Sequence, residues 1–204
     1  MKNYKTWILD FDGTLYRQLP VQICMAIWLA GYYFFRPTRI KEIFILREWR
    51  RLREARFCAE KKNFRELQLE ELVRHYEMPK DAVEKILQSW LIERPMKILH
   101  FFTRKKILNA AKFYQSRGVK MIVYSDNPVA EKLSAINFFP DKSFYADELN
   151  CMKPAAQGLR NILTEFGLNP AEVLYIGDRD DRDGICAKAA GVDYLDVKKF
   201  EELL

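Results

Sequence analysis

Two acidic residues stand beside a glycine and a hydroxyl directly after an apolar run near the start of the chain. The stretch ILDFDGTLY places Asp10 and Asp12 next to Gly13 and Thr14. Two carboxylates this close repel each other unless a cation or hydrogen bonds offset the repulsion. The segment is therefore either an ordinary surface turn or a site that binds a cation and does chemistry.

Further polar residues follow two later apolar runs. VKMIVYSDN carries Ser125 and Asp126 near its end, and VLYIGDRDDRDG carries an acidic group that runs from Asp178 to Asp183. Between these runs, Lys153 lies in NCMKP, directly before a predicted helix. Carboxylates combined with one hydroxyl and one ammonium group can hold a divalent cation and a phosphate group.

The three apolar runs predict buried parallel strands, because each is short and is followed by turn residues and then by a helical pattern. PAAQGLRNILTEFG and GICAKAAG predict two of these helices, and VDYLDV predicts a final short strand. Alternating strands and helices are typical of a doubly wound, Rossmann-like α/β sheet, in which ligands bind outside the carboxyl ends of the strands. We therefore expect the polar residues to converge on one site.

A long segment after the first predicted strand breaks this alternation. Residues 16–95 carry helical patterns rich in arginine and aromatic residues, with no convincing strand and few helix breakers. We predict an inserted α-helical subdomain over residues 16–95. Residues 1–15 and 96–204 then form the α/β core.

Composition limits the function only broadly. The 204 residues are 49% hydrophobic, and 34 Lys+Arg against 28 Asp+Glu give a net charge of +6. This charge favours anionic partners without choosing among a phosphorylated metabolite, nucleic acid and an acidic membrane. The separated Cys24, Cys58, Cys151 and Cys186 favour neither a zinc site nor a dense disulfide framework. With no signal-peptide pattern at the start, we expect a soluble, cytoplasmic protein.

The motifs DFDGT, YSDN, NCMKP and GDRDDRDG, in this order and at these separations, resemble those of the haloacid dehalogenase-like hydrolase superfamily. The helical insertion directly after the first motif resembles the C1 cap of that superfamily. The resemblance implies an Mg2+-dependent enzyme in which Asp10 is the nucleophile and Asp12 is the general acid and base.

The resemblance also implies binding roles for other motif residues. Phosphate would be bound by Ser125, Asp126 and Lys153. The metal ligands would be Asp10, Asp12 through its backbone carbonyl, Asp178 and Asp183. The crowded fourth motif leaves Asp181 as an alternative to Asp183, and Asp183 ranks first because it directly precedes the small-residue helix.

Asp12 narrows the reaction that the resemblance implies. Dehalogenase members of the superfamily lack an acid at this position, whereas phosphatases and phosphomutases carry one. We therefore predict hydrolysis of a small phosphomonoester through an aspartyl-phosphate on Asp10. A phosphomutase similar to β-phosphoglucomutase uses the same residues and stays open as an alternative.

The predicted cap offers an alternative of another class. RPTRIKEIFILREWRRLREARF mixes arginines with apolar residues, and AIWLAGYYFF before it is apolar and aromatic. We favour cap helices that bury their apolar side and leave the arginines in solvent. A regulator that binds a membrane or nucleic acid through this cap is the alternative, and a small phosphorylated substrate is the partner we expect.

Overall fold

The structure, a computed structural model, describes residues 3–55 and 64–204. Cys58 and the last residues of the basic cap segment, 56 and 57, lie outside this part of the chain. The described residues form a parallel sheet of five strands, β1 (Thr6–Leu9), β2 (Lys120–Ser125), β3 (Lys142–Tyr145), β4 (Val173–Gly177) and β5 (Asp193–Asp196). The strand order is β3-β2-β1-β4-β5, so the first strand is central.

Strand β1 is apolar because it is covered on every side. It pairs with β2 and β4, with Thr6 opposite Lys120 and Val173. Its residues alternate between the two faces of the sheet: Leu9 packs in one hydrophobic cluster and Ile8 in the other. A strand that is buried on both faces is apolar throughout, which explains the continuous run in the sequence.

Helices cover both faces of the sheet. In the core these helices are α6 (Lys105–Gln115), α7 (Ala130–Ala135), α8 (Ala146–Leu149), α9 (Gln157–Glu165), α10 (Ile185–Ala189) and α11 (Val197–Glu202). Ile107 and Phe200 pack on one face, and Leu159 and Cys186 pack on the other. The predicted doubly wound α/β fold is therefore confirmed.

The sequence analysis missed one strand. Strand β3, with the sequence KSFY, lies at the edge of the sheet and pairs only with β2 among the described strands. Its residues are exposed or partly buried, so no apolar run marks it. Edge strands of this kind are short and mixed in polarity, and periodicity does not identify them.

Five α-helices lie between β1 and α6 in the described chain. They are α1 (Gln18–Phe34), α2 (Lys41–Ala55), α3 (Phe64–Tyr76), α4 (Lys80–Gln88) and α5 (Arg94–Leu99). They have a hydrophobic cluster of their own, which includes Ile45, Leu72 and Trp90. Leu99 of α5 instead packs with the cluster under the sheet. The insertion is thus a helical layer with its own core, and its predicted bounds at residues 16 and 95 stay a prediction.

The basic segment, α2, and the apolar segment, α1, differ in how many of their apolar side chains are buried. In α2, Ile45, Trp49 and Leu52 are buried, while Arg47 and Arg50 are exposed, as the favoured interpretation has it. Helix α1 buries only Val21 and Tyr33. The remaining apolar side chains of α1 are partly or largely exposed, so this segment is cap core on one side only.

Candidate active site

The site lies where three neighbouring strands end. Asp10 follows β1, Ser125 is the last residue of β2 and Asp178 follows β4. These strands are adjacent in the sheet, and adjacent strands lie about 4.8 Å apart. The backbone N–H of Asp10 donates to the carbonyl of Ile176 at 2.9 Å, which extends the pairing past the end of β1. The structure therefore brings the first, second and fourth motifs together.

Lys153 supplies the positive charge beside Asp10. Its Nζ lies 2.6 Å from Asp10 Oδ1 and 2.7 Å from Asp183 Oδ1, and it donates to the Tyr175 hydroxyl at 3.2 Å. All four side chains are buried. Burial opposes the charge of Lys153, but Asp10 and Asp183 raise its pKa well above the usual value. Burial also raises the pKa of Asp10, and the Lys153 ammonium acts in the opposite direction.

Asp12 has a different set of partners. Its carboxylate accepts hydrogen bonds from the Tyr16 hydroxyl at 2.7 Å, from Asn127 Nδ2 at 3.0 Å and from Lys132 Nζ at 3.3 Å. Burial opposes the charge, but Lys132 and these hydrogen bonds outweigh it and lower the pKa of Asp12. The two aspartates of the first motif thus tolerate each other because each carboxylate has its own ammonium partner.

Three carboxylates form a candidate metal site. Oxygens of Asp10, Asp178 and Asp183 all lie within 4.8 Å of one another. Burial, followed by the charge of Asp183, raises the pKa of Asp178 to about 6. A set made only of carboxylate oxygens suits a hard divalent cation such as Mg2+. The side chain of Asp12 is outside this group, so the predicted role of its backbone carbonyl stays a prediction.

Gly13 allows the Asp178 carboxylate to approach the first motif. Gly13 has a φ of +90°, and a Cβ at this position would lie 2.0 Å from Asp178 Oδ2. Both the left-handed backbone and the contact exclude a larger residue. The glycine of the first motif therefore serves the acidic site directly, in addition to forming the turn.

The structure distinguishes the two candidate acids of the fourth motif. The Asp183 side chain is 2% exposed, faces Lys153 and accepts a hydrogen bond from the backbone N–H of Arg179 at 3.2 Å. The Asp181 side chain is 66% exposed and pairs with Arg179 at the surface. The geometry thus brings Asp183, and not Asp181, into the acidic cluster.

The predicted phosphate-binding residues Ser125 and Asp126 have different hydrogen-bond partners. Ser125 is fully buried, and its Oγ accepts a hydrogen bond from the Asn127 backbone N–H at 3.2 Å. The Asp126 carboxylate accepts from the Lys153 backbone N–H at 3.0 Å and lies 3.0 Å from Arg182 Nη2. The side chain of Asp126 therefore holds the backbone of Lys153, and the predicted contact of Asp126 with phosphate stays a prediction.

Several contacts at the site were not predicted from the sequence. Thr14 Oγ1 donates to Asp10 Oδ2 at 3.2 Å, and Arg104 Nε donates to the Gly13 carbonyl at 3.1 Å. Thr14 and Asn127 lie inside the quoted motifs, so their proximity could have been noticed. Lys132 and Arg104 lie outside all of these motifs, because they reach the site from helix α7 and from just before α6.

A residue of the inserted helices also reaches the core. Arg53 of α2 pairs with Asp147 Oδ1 at 2.7 Å and donates to the backbone carbonyl of Asp126. Both charged side chains are at least nine-tenths buried. Arg53 therefore ties the helical insertion to the loop that follows β2, next to Ser125.

The fold and the site together define a Rossmann-like α/β protein with an acidic site at the carboxyl ends of its strands. Its sequence matches the family model of haloacid dehalogenase-like hydrolases over residues 4–191. The chain therefore belongs to this family of hydrolases, and the resemblance noted in its motifs is confirmed.

Solved structures agree with this assignment. A HAD-hydrolase from Bacillus subtilis bound to magnesium is 15% identical, with a TM-score of 0.66 over 99% of this chain and 97% of that chain. A protein described as a predicted phosphoglycolate phosphatase, from Haemophilus somnus, is 16% identical, with a TM-score of 0.60 over 95% and 85% of the two chains. An L-2-haloacid dehalogenase from Xanthobacter autotrophicus, with chloropropionic acid covalently bound, is 15% identical, with a TM-score of 0.60 over 94% and 76%.

At these identities the similarity shows the fold alone, and the neighbours include both phosphatase and dehalogenase names. No curated protein matches the sequence significantly. The choice between these two reactions therefore depends on the residues of the site.

Proposed function

We propose that this hydrolase is an Mg2+-dependent phosphatase that acts on a small phosphomonoester through an aspartyl-phosphate on Asp10. The observation that carries the proposal is the partly buried Asp12 carboxylate, which lies two residues after Asp10 and is held by Tyr16, Asn127 and Lys132. Dehalogenase relatives lack an acid at this position. Phosphate ester hydrolysis needs such a group, because a leaving oxygen takes up a proton and an attacking water gives one away.

Asp10 is oriented for attack by two donors. Lys153 holds its Oδ1 and Thr14 holds its Oδ2. In the first step a carboxylate oxygen of Asp10 bonds to phosphorus, the bond from phosphorus to the ester oxygen breaks, and that oxygen takes a proton from Asp12. In the second step Asp12 takes a proton from a water molecule, which attacks the phosphorus and releases phosphate and the Asp10 carboxylate.

Asp12 changes protonation state in this scheme. Its lowered pKa keeps the carboxylate charged before substrate is present. A phosphate dianion brought beside it raises its pKa, because like charges disfavour the ionised form. Substrate binding therefore favours the protonated form that the first step requires.

The acidic cluster supports the metal part of the proposal. Asp10, Asp178 and Asp183 bring three carboxylates together, and Lys153 is the ammonium that contacts two of them. A bound Mg2+ would offset the remaining negative charge and stabilise charge on the phosphoryl oxygens. Lys153, already held in place by Tyr175, would bind a phosphoryl oxygen as charge develops on it.

Parallel assays on the same preparation test the proposal. Phosphate release from a panel of phosphomonoesters is measured with Mg2+ and with EDTA, beside halide release from short 2-haloacids. We expect metal-dependent phosphate release without halide release, and a loss of about 1,000-fold or more in Asp10→Asn, because the nucleophile is gone. Halide release without phosphate release would overturn the proposal in favour of a dehalogenase.

A further inference from the structure

Helix α1 presents an apolar stripe to solvent. Leu19, Ile23, Ile27 and Phe34 lie on one side of the helix, at a spacing of four and seven residues. Their exposed fractions are 66%, 52%, 68% and 78%. Four large apolar side chains aligned in this way differ from the scattered single exposed residues of an ordinary surface.

Further exposed apolar residues follow α1 in the sequence. Phe35 is 78% exposed, Ile40 is 50% exposed and Phe44 of α2 is 53% exposed. Helix α1 itself, QLPVQICMAIWLAGYYF, contains no charged residue. We call Leu19, Ile23, Ile27, Phe34, Phe35, Ile40 and Phe44 the apolar surface. A face of this kind is normally covered by another molecule.

No described helix is both long and apolar enough to cross a bilayer by itself, although α1 and the helical segment Pro37–Glu54 pass that test as a pair bent by 118°. A sharp bend between two apolar or amphipathic helices is compatible with helices that lie along a membrane surface. In that arrangement only the apolar side enters the lipid.

Positive charges gather around the aromatic rings on the flank of α1. The Arg36 guanidinium lies 4.5 Å from the centre of the Tyr32 ring. The Arg94 guanidinium lies 5.7 Å and the Lys97 ammonium 5.9 Å from the centre of the Trp28 ring. Arg39 nearby pairs with the buried Glu42, so that acid is already neutralised. The apolar surface is therefore bordered by cations next to aromatic rings, a combination typical of the membrane interface.

This charge pattern selects among the molecules that could cover the surface. In a symmetric dimer the same patch meets itself, and α1 of the second copy contains no charged residue, so it would offer no anion to Arg36 and Lys97. An anionic lipid surface instead complements the cations while its acyl region accepts the apolar side chains. The net charge of +6 also favours an anionic lipid surface.

We propose that the apolar surface of α1 binds the surface of an anionic membrane, with the helix lying in the plane of the interface. This proposal is independent of the reaction at Asp10. Leu19, Ile23 and Ile27 enter the boundary of headgroups and acyl chains, and Arg36 and Lys97 contact the lipid phosphates. The chain would thereby be a peripheral membrane protein that carries its active site to the lipid surface.

Sedimentation with lipid vesicles tests the proposal. Vesicles of phosphatidylcholine alone are compared with vesicles that contain phosphatidylglycerol, at low and high salt. The variant Ile23→Glu with Ile27→Glu places charges in the apolar surface, and Phe139→Glu is the matched control, because Phe139 is 66% exposed outside this surface. We expect binding to the anionic vesicles only, weakened at least about tenfold in the double variant and unchanged in the control.

The charge requirement is tested separately. Arg36→Gln with Lys97→Gln keeps the apolar surface and should lose most of the preference for anionic vesicles. Absence of vesicle binding by the wild type, or equal binding by Ile23→Glu/Ile27→Glu and Phe139→Glu, would overturn the proposal. A concentration-dependent dimer in sedimentation velocity that the Ile23→Glu/Ile27→Glu variant abolishes would assign the surface to a second copy of the chain instead.

Discussion

At the residue scale, the two aspartates of the first motif contact different lysines, and Lys153 also contacts Asp183. Asp10 faces Lys153 at 2.6 Å, and Asp12 faces Lys132 at 3.3 Å. All four side chains are largely buried, so removing either lysine would leave a carboxylate without its cation. Breaking a buried pair in this way costs about 3–5 kcal/mol. The lysines therefore stabilise the fold as well as the arrangement of the reacting groups.

Gly13 gives the first prediction at this scale. In Gly13→Ala the new methyl group meets the Asp178 carboxylate, because a Cβ there lies 2.0 Å from Oδ2. We expect Mg2+-dependent activity to fall at least about tenfold through displacement of Asp178. Gly118→Ala is the control, since Gly118 has a φ of +88° and nothing lies within 4 Å of its Cβ position. Equal activity in the two variants would show that backbone strain alone matters.

The fourth motif gives the second prediction. Asp183→Asn removes a buried carboxylate that contacts Lys153, whereas Asp181→Asn changes a side chain at the surface. We expect the Mg2+ concentration for half-maximal activity to rise at least about tenfold in Asp183→Asn and to stay unchanged in Asp181→Asn. The opposite result would identify Asp181 as the acid that matters for the metal.

The pH dependence of stability without metal gives the third prediction. Burial and the charge of Asp183 raise the pKa of Asp178 from 3.8 to about 6. Between these values the folded chain binds more protons than the unfolded chain, so the contribution of Asp178 to the free energy of unfolding falls as the pH rises. Stability from this group is fully present below about pH 4 and is lost through about pH 6.

Urea unfolding in EDTA between about pH 4 and about pH 7 measures this contribution. We expect Asp178→Asn to be more stable, relative to the wild type, at the upper end of this range than at the lower end. Titrating groups far from Asp178 cancel in the comparison, whereas Asp10 does not, because the charge of Asp178 raises its pKa; losing that charge changes the difference in the same direction. If the free energy of unfolding changed with pH by the same amount in the wild type and in Asp178→Asn, the assignment to Asp178 would be contradicted.

At the element scale, α2 links the helical insertion to the loop after β2. Arg53 is the contact, through Asp147 and the Asp126 carbonyl. Asp126 also accepts the backbone N–H of Lys153, so one loop connects the insertion with the ammonium group of the site. Movement of α2 would therefore displace the residues proposed to bind phosphate.

The link predicts the effect of Arg53→Ala on stability. The variant leaves the Asp147 side chain, which is 9% exposed, without its guanidinium partner. We expect the free energy of unfolding to fall by about 3 kcal/mol, as for other buried pairs that lose one member. Arg51→Ala on the same helix is the control, because Arg51 is 62% exposed and should change stability by less than about 0.5 kcal/mol. Similar urea midpoints for both variants would contradict the role of Arg53.

What the sequence could predict depends on the element. Strands β1, β2 and β4 are apolar runs because they are buried in the middle of the sheet, and each places a motif residue at its end. The half-buried edge strand β3 lacks that signal. Lys132 and Arg53 could not be predicted either, since the packing of α7 and α2 brings them to the site from distant positions. Asp183 is set apart from Asp181 by the π-helical turn Asp180–Gly184, in which Asp183 is buried.

At the scale of the whole molecule, the inserted helices have two different sides. One side contacts the core through Arg53, and the other carries the apolar surface of α1. We propose that the first side closes over the strand ends, excludes water and selects the leaving group, as lids in general do. In this proposal the insertion determines which phosphomonoester is accepted, and the motif residues determine the chemistry.

In the proposed reaction, Asp10 becomes phosphorylated during turnover. The most direct measurement is to quench the protein with acid while it turns over its best phosphomonoester with Mg2+, and to locate the added phosphoryl group by peptide mass spectrometry. Asp10→Asn, treated in the same way, is the control. We expect one phosphoryl group on Asp10, absent from the control and from samples with EDTA. A phosphoryl group on another residue, or phosphate release that continues in Asp10→Asn, would contradict the proposed reaction.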